Sequence, residues 1–120
     1  MRILVVNDEI TILGFLERLL TDAGHEVCAR LLTSEEDAEG VVSVAALMQF
    51  DVAMVDLVMP SVCGDQLAKR LREVSPVTRL VLACCGPVEI AIELLSTGVV
   101  DHFLPLPFNS KEELLASLSV

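Results

Sequence analysis

The chain has 120 residues, 53% of them hydrophobic, and a formal net charge of −10 at pH 7. This length allows a single domain around one core, which the apolar residues are numerous enough to fill. The acidic excess argues against direct binding to nucleic acid, because that binding needs Lys and Arg facing the phosphates.

Apolar runs of strand length recur along the chain. Several are continuous rather than alternating in polarity, which is typical of parallel strands that are covered on both faces. In chain order the predicted strands are Ile3–Val6, Val27–Ala29, Val52–Val55, Leu80–Ala83 and Phe103–Leu104.

Helical patterns fill the segments between these strands. An apolar stripe over residues 12–23 is followed by Gly24 as a stop, and Gly98 ends the segment Val88–Ser96 in the same way. The remaining helices are predicted over Gly40–Gln49, over 67–74 and after Asn109 or Ser110, with Glu112 or Glu113 reaching back as in a capping box. The acidic cluster at residues 35–39 is interpreted as a solvated loop or a first helical turn.

The order βαβαβαβαβα predicts an α/β fold of three layers. Strands that alternate with helices through short connections form a doubly wound, five-stranded parallel sheet with helices on both faces. We expect residues 1–120 to form one domain.

No segment has the length of a membrane span. The longest uncharged stretch, Gly40–Phe50, is far shorter than the roughly 20 residues that a spanning helix needs, and Met1-Arg2 leads into Ile3 without a signal-peptide layout. The cysteines lack the paired spacing of a zinc site, so we interpret them as reduced thiols packed in the core of a cytoplasmic protein. A redox role for the adjacent Cys84-Cys85 pair is the alternative.

Acidic residues follow two of the predicted strands. Asp56 comes directly after Val52–Val55, and Asp8 comes shortly after Ile3–Val6. Open α/β sheets place their chemistry at the carboxyl ends of strands, and two carboxylates there can share a hard cation such as Mg²⁺. For Asp8 the competing interpretation is an N-cap for the helix that begins near Ile10.

Three motifs resemble the receiver domain of two-component response regulators. They are Ile3-Leu4-Val5-Val6-Asn7-Asp8-Glu9, Val55-Asp56-Leu57-Val58-Met59-Pro60 and Leu106-Pro107-Phe108, and the resemblance covers essentially the whole chain. It implies a flavodoxin-like (βα)5 fold that accepts a phosphoryl group from a histidine kinase or phosphotransfer protein. It also implies a requirement for Mg²⁺, with Mn²⁺ as an alternative.

The resemblance assigns roles to individual residues. Asp56 matches the phosphoacceptor, Asp8 matches a carboxylate that binds Mg²⁺ directly, and Val58 stands where the family supplies a backbone carbonyl ligand. Phe103 matches the aromatic residue that switches orientation on activation. Met59-Pro60 shape the turn after the site.

Three pocket positions depart from the family pattern. Asn7 replaces an acid of the metal site, Ala83 replaces a Thr or Ser hydroxyl, and Leu106 replaces a Lys. The segment before Pro107 is also one residue longer than usual, with His102 as the extra residue. Losing the Lys contact and the hydroxyl contact would lower stabilisation of the transferred group on the order of 10²-fold or more, since one hydrogen bond to a charged group is worth about 1.5–3 kcal/mol.

These departures leave two functions from different classes. The first is a degenerate receiver, a signalling module that is phosphorylated inefficiently at Asp56. The second is a phosphorylation-independent interaction domain that uses only the scaffold. An enzyme acting on small molecules is a distant third, because no His, Ser, Cys or Lys stands in a triad-like relation to either aspartate.

The fourth helical segment, Val88–Ser96, is apolar on more of its circumference than an amphipathic surface helix, which buries only one face. We expect Ala91, Leu94 and Leu95 to pack on the sheet, and Val88 and Ile92 to form a dimer or effector contact. In the family, this helix with the strand and helix that follow is the usual interface. The alternative is that the helix is simply buried more deeply than usual.

Overall fold

The computed structural model describes residues 1–59, 62–84 and 88–119 of the protein. None of the helices in these ranges is long and apolar enough to cross a membrane. In chain order the elements are β1 (Arg2–Asn7), α1 (Ile10–Asp22), β2 (Glu26–Leu31), α2 (Glu35–Met48), β3 (Val52–Val55), β4 (Val58–Met59), β5 (Val62–Cys63), α3 (Gly64–Val74), β6 (Arg79–Cys84), α4 (Val88–Ser96), β7 (His102–Pro105) and α5 (Lys111–Ala116).

The main sheet has five parallel strands in the order β2-β1-β3-β6-β7. Val55 of β3 pairs with Val6 of β1 on one side and with Leu82 of β6 on the other. The predicted doubly wound α/β fold is therefore confirmed. The strand order reverses between β1 and β3, which is the point where open α/β sheets form their binding crevice.

The core lies on both faces of this sheet. Successive residues of a strand point to opposite faces, so Leu4 and Val6 join the cluster under α2, α3 and α4. Ile3 and Val5 join the cluster under α1 and α5. Because β1 and β3 are buried on both faces, their sequences read as continuous apolar runs.

The α2 helix begins earlier than the predicted Gly40. The Ser34 hydroxyl accepts a hydrogen bond from the Asp37 backbone N–H at 3.1 Å, which caps the helix at Glu35. The acidic cluster therefore begins the helix, and its negative charges interact favourably with the positive end of the helix dipole. In α5, Ser110 caps the helix and the Glu113 carboxylate accepts from the Asn109 N–H at 3.0 Å, which confirms the predicted cap.

A hairpin between β3 and α3 was not predicted from the sequence. The residues after Asp56 form two short antiparallel strands, with Val58 paired to Cys63 and Met59 paired to Val62. The turn predicted at Met59-Pro60 lies partly outside the described residues. The hairpin places the Val58 backbone directly after the candidate acceptor.

Candidate functional site

The two candidate carboxylates follow neighbouring strands at the carboxyl end of the sheet. Asp8 follows β1, Asp56 follows β3, and the Asp56 backbone N–H donates to the Val6 carbonyl at 3.3 Å. Both residues are partly exposed. The parallel register thus brings together the two acidic residues that the sequence singled out.

Asn7 holds the turn between β1 and α1. Its side chain is 1% exposed, and Oδ1 accepts a hydrogen bond from the Glu9 backbone N–H at 2.9 Å. Glu9, not Asp8, occupies the N-cap position of α1, and it makes no side-chain cap hydrogen bond. The N-cap interpretation of Asp8 is therefore wrong, because the chain enters the helix one residue later.

Gly64 lets α3 begin directly against the site. A Cβ atom at this position would lie 2.5 Å from the Leu57 carbonyl oxygen and would also meet the Asp56 carbonyl oxygen. Real Cβ atoms essentially never approach backbone this closely, so no other residue fits without displacing the loop after β3. Sequence reasoning missed Gly64, whose only signal was its place before an amphipathic helix.

An apolar cavity of roughly 400 Å³ lies on another side of Asp56. Leu106 lines it and is partly buried, and the Leu106–Pro107 peptide bond is cis. The rings of Phe15 and Phe108, which both line it, stack on each other with centroids 6.0 Å apart and planes at 16°. Among the described residues, the lining consists of Asp56 together with apolar residues: Ile12, Phe15, Leu16, Leu106, Pro107 and Phe108.

Ala83 lies level with the site but belongs to the core. Leu82, the residue before it, pairs with Val55, the residue before Asp56. Ala83 is 2% exposed and packs with Leu104 in the cluster under α1 and α5. Its methyl group offers no hydrogen bond to a ligand at Asp56.

Phe103 and its neighbour His102 lie on β7. Phe103 pairs with Leu82 and packs, partly buried, against the cluster on the α2–α4 face. Burial and the positive charge of Arg79 lower the pKa of His102, while Glu113 acts in the opposite direction. His102 does not line the cavity beside Asp56.

The outer surface of α4 is more apolar than predicted. Ala91 and Leu94 are buried, whereas Val88 and Ile92 are 52% and 58% exposed, as expected. Leu95, expected on the sheet, is 37% exposed, so that assignment is wrong; the helix rotates it out of the core. The exposed residues also rule out the alternative of a deeply buried helix.

The donor set for a cation is small. Within the three described ranges, no group of three or more His, Cys, Asp or Glu residues is placed to hold a metal ion. The oxygen donors predicted for a cation are the carboxylates of Asp8 and Asp56 and the backbone carbonyl of Val58, and oxygen ligands suit a hard cation. They fit Mg²⁺, but with less negative charge than a site in which Asn7 is an acid.

Two of the four cysteines are described as free thiols. Cys28 and Cys63 are free, and Cys63 is exposed, so the expectation of core packing is wrong for that residue. Cys85 lies outside the described residues, and the redox alternative for Cys84-Cys85 stays a prediction.

Comparison with known proteins identifies one family. The family model described as a response regulator receiver domain matches residues 3–119. The transcriptional regulatory protein TcrA of Mycobacterium tuberculosis is 36% identical over 122 residues, covering 98% of this chain and 44% of TcrA. The chain spans less than half the length of the curated relatives it matches.

Two solved structures share the fold. A response regulator protein from Burkholderia pseudomallei, with a phosphorylated aspartic acid, calcium ion and citrate, has a TM-score of 0.83 at 24% identity, covering 99% of this chain and 66% of that one. The chemotaxis protein CheY4 of Vibrio cholerae has a TM-score of 0.80 at 28% identity, covering 98% of this chain and 94% of CheY4.

Proposed function

Because the chain belongs to the family of response regulator receiver domains, we propose that Asp56 accepts a phosphoryl group from a histidine kinase or a phosphotransfer protein. The position of Asp56 supports this role. Asp56 is partly exposed, it follows the central strand β3, and it lies at the same end of the sheet as Asp8. We propose residues 1–120 as one receiver domain. Its role is to accept a group in two-component signalling, not to turn over a small-molecule substrate.

The transfer is a displacement at phosphorus. A carboxylate oxygen of Asp56 forms the new P–O bond while the P–N bond of a phosphohistidine breaks, and the leaving imidazole takes up a proton. Asp8, Asp56 and the Val58 carbonyl would hold Mg²⁺, with Mn²⁺ as a substitute, and the cation offsets the negative charge of the phosphoryl oxygens. The response regulator of Burkholderia pseudomallei contains a calcium ion.

The pocket predicts inefficient transfer. A phosphoryl group adds about −1.5 to −2 charges, yet the cavity side of Asp56 presents Leu106 where the family has an ammonium. Ala83 likewise supplies no hydroxyl to draw the following loop toward the group. We therefore propose slow modification at Asp56 and weak coupling to any movement of Phe103.

Labelling by a small phosphodonor tests the acceptor. Wild type incubated with acetyl phosphate and Mg²⁺ is expected to gain one phosphoryl group slowly, as seen by intact mass spectrometry and located by peptide mapping. Asp56→Asn should abolish the label. The matched control Asp22→Asn changes an exposed aspartate at the end of α1 and should label like wild type. Equal labelling of the Asp56→Asn variant would refute the assignment.

A second function, a phosphorylation-independent interaction domain, is favoured by the α4 surface. This nine-residue helix exposes Val88, Ile90, Ile92 and Leu95, and an apolar patch of this kind commonly marks an interface. We propose that Val88 and Ile92 contact a second copy or an effector without a strict need for phosphate, on the face formed by α4, β7 and α5.

Sedimentation tests the self-association form of this proposal. Wild type should sediment as a concentration-dependent dimer, and Ile92→Glu should shift it to monomer with or without acetyl phosphate. Leu47→Glu is the control, because Leu47 is 83% exposed on α2. Identical, concentration-independent monomers for wild type and Ile92→Glu would contradict the dimer.

We further propose a cytoplasmic location, where kinases have access to ATP, and no direct contact with nucleic acid. The net charge of −10 supports the second point. Any DNA binding by relatives such as TcrA, named a transcriptional regulatory protein, is compatible with this, because the chain spans 44% of that relative.

A further inference from the structure

The cavity beside Asp56 has the size and composition of a small-molecule site. Its volume of roughly 400 Å³ falls within the range of about 300–1,000 Å³ that is usual for such sites. Ligand pockets combine mostly apolar walls with a few polar groups that orient the ligand. Among the described residues that line this cavity, Asp56 is the one ionisable side chain.

This combination selects for a particular charge. An anionic ligand would be repelled by the Asp56 carboxylate, and a neutral apolar ligand would gain no electrostatic attraction to it. A ligand with a charged N–H group offers a charge-assisted hydrogen bond to the carboxylate, which is stronger than a neutral one. Its apolar remainder would cover Leu16 and Leu106.

The aromatic wall adds to the same preference. Phe15 and Phe108 both line the cavity, and their rings stack with centroids 6.0 Å apart. Ring faces carry partial negative charge and attract cations within about 6 Å of the centroid. The overall charge of −10 also attracts cations to the surface.

We propose that this cavity binds a small organic ammonium compound, with its nitrogen at Asp56 and its apolar body against Phe15, Leu106 and Phe108. Asp8 does not line the cavity, so the ligand meets Asp56 through a different approach from the proposed metal ion. The inference uses the same aspartate as the proposed phosphoryl transfer but does not require that transfer to occur. A bound ammonium would compete with Mg²⁺ for the charge of Asp56.

Three probes of matched shape test the preference. 2-Phenylethylammonium, the neutral 2-phenylethanol and the anionic 3-phenylpropionate are titrated into the protein and followed by amide NMR. The ammonium should bind at least about tenfold more tightly than the alcohol, because a hydrogen bond to a charged group is worth that much. The propionate should not bind, and the shifts should centre on residues 12–16 and 106–108.

Variants assign the effect to the cavity. Asp56→Asn should remove the advantage of the ammonium over the alcohol while leaving alcohol binding unchanged. Leu106→Lys should abolish binding of both, because the new side chain fills the cavity and brings its own ammonium. Val77→Lys is the control, since Val77 is 84% exposed in the loop before β6, and it should behave like wild type.

Equal affinities for the three probes would overturn the proposal, as would an unchanged preference in Asp56→Asn or no binding to the folded wild type. Labelling by acetyl phosphate is measured on the same samples. A protein that binds the ammonium but takes no label would refute the proposed phosphoryl transfer alone. A protein that takes the label but ignores the probes would refute this inference alone.

Discussion

Asp56 lies between two regions of opposite chemistry. On the donor side, Asp8 and the Val58 carbonyl are the oxygen donors that we propose for a cation. On the cavity side, Leu106 and Phe108 present an apolar wall. If the proposed cation site is correct, cation binding and phosphoryl binding at this strand end depend on different segments of the chain.

Different segments build the two regions. The donor side comes from the ends of β1 and β3, which are adjacent in the sheet, and from Val58 of β4. The cavity side comes from α1 and the segment 106–108, which follows the edge strand β7. The two regions meet where β1 leads into α1, and we expect a side-chain substitution to act mainly on the region to which it belongs.

The largest expected effect comes from Gly64, which supports the loop shared by both sides. Gly64→Ala should lower the free energy of unfolding by about 3 kcal/mol, because the new methyl group meets backbone that cannot move aside cheaply. Urea unfolding measures it. The matched control is Gly40→Ala in α2, where nothing lies within 4 Å, and which should gain up to about 1 kcal/mol. Similar values for the two variants would contradict the close approach at Gly64.

The second prediction alters the cavity side alone. Leu106→Lys should prolong the lifetime of phosphorylated Asp56, or raise its yield, by about tenfold or more, because an ammonium there bonds to the transferred group. Decay of the acetyl-phosphate label measures it, with Val77→Lys as the control. Adding Ala83→Thr should increase the gain, although the Thr hydroxyl enters a position that is 2% exposed. If neither the single nor the double variant gains yield or lifetime, the account of the missing contacts is wrong.

The third prediction alters the donor side alone. Asn7→Asp should tighten Mg²⁺ binding by about tenfold, since it restores a third carboxylate. Asp can still accept the hydrogen bond from the Glu9 N–H, but a charge at a position that is 1% exposed should lower stability until Mg²⁺ is added.

Amide NMR titration and unfolding with and without Mg²⁺ measure both effects of Asn7→Asp. Gln66→Glu adds the same charge on the exposed surface of α3 and is the control. Equal Mg²⁺ affinities for the two variants would show that the donor side does not hold the ion. In wild type, millimolar Mg²⁺ should shift the amides of residues 7–9 and 56–59.

The smallest expected effect concerns His102 on β7, which belongs to neither the donor side nor the cavity side. Burial and Arg79 lower the pKa of His102 below its ordinary value of 6.5. The unfolded chain then binds more protons than the folded one, so stability should fall as the pH drops from about 6.5 through the lowered pKa. His102→Gln should remove this small part of the pH dependence. Urea midpoints measured across that range test it, and an unchanged profile in His102→Gln would contradict it.

Much of the fold could be predicted because short patterns along the sequence indicate its strands and helix ends. The runs at Ile3–Val6 and Val52–Val55 are buried on both faces, so their apolar character is unbroken and marks the central strands. Gly24 and Gly98 adopt positive φ angles of 94° and 79° after their helices, where glycine alone is free of strain. Element ends were less certain, because α2 depends on a cap at Ser34 as well as on its apolar spacing.

Other features depend on contacts between segments that are distant in the chain. The helical pattern over residues 67–74 predicts that Arg72 faces solvent, yet Arg72 donates to the carbonyls of Thr78 and Val99 and pairs with Asp101 at 2.6 Å. Those partners lie in the loops before β6 and β7. A pattern read along one helix cannot reveal them.

The same division holds at the site. Asp8, Asp56 and Leu106 could be identified from the sequence and placed after strands, because parallel strands bring their carboxyl ends to one end of the sheet. That Leu106 lines an apolar cavity with α1, and that Gly64 packs against the loop after β3, could be seen only once the segments were packed together. Cavities and close approaches depend on distances between segments, and those distances are set by how the helices pack on the sheet.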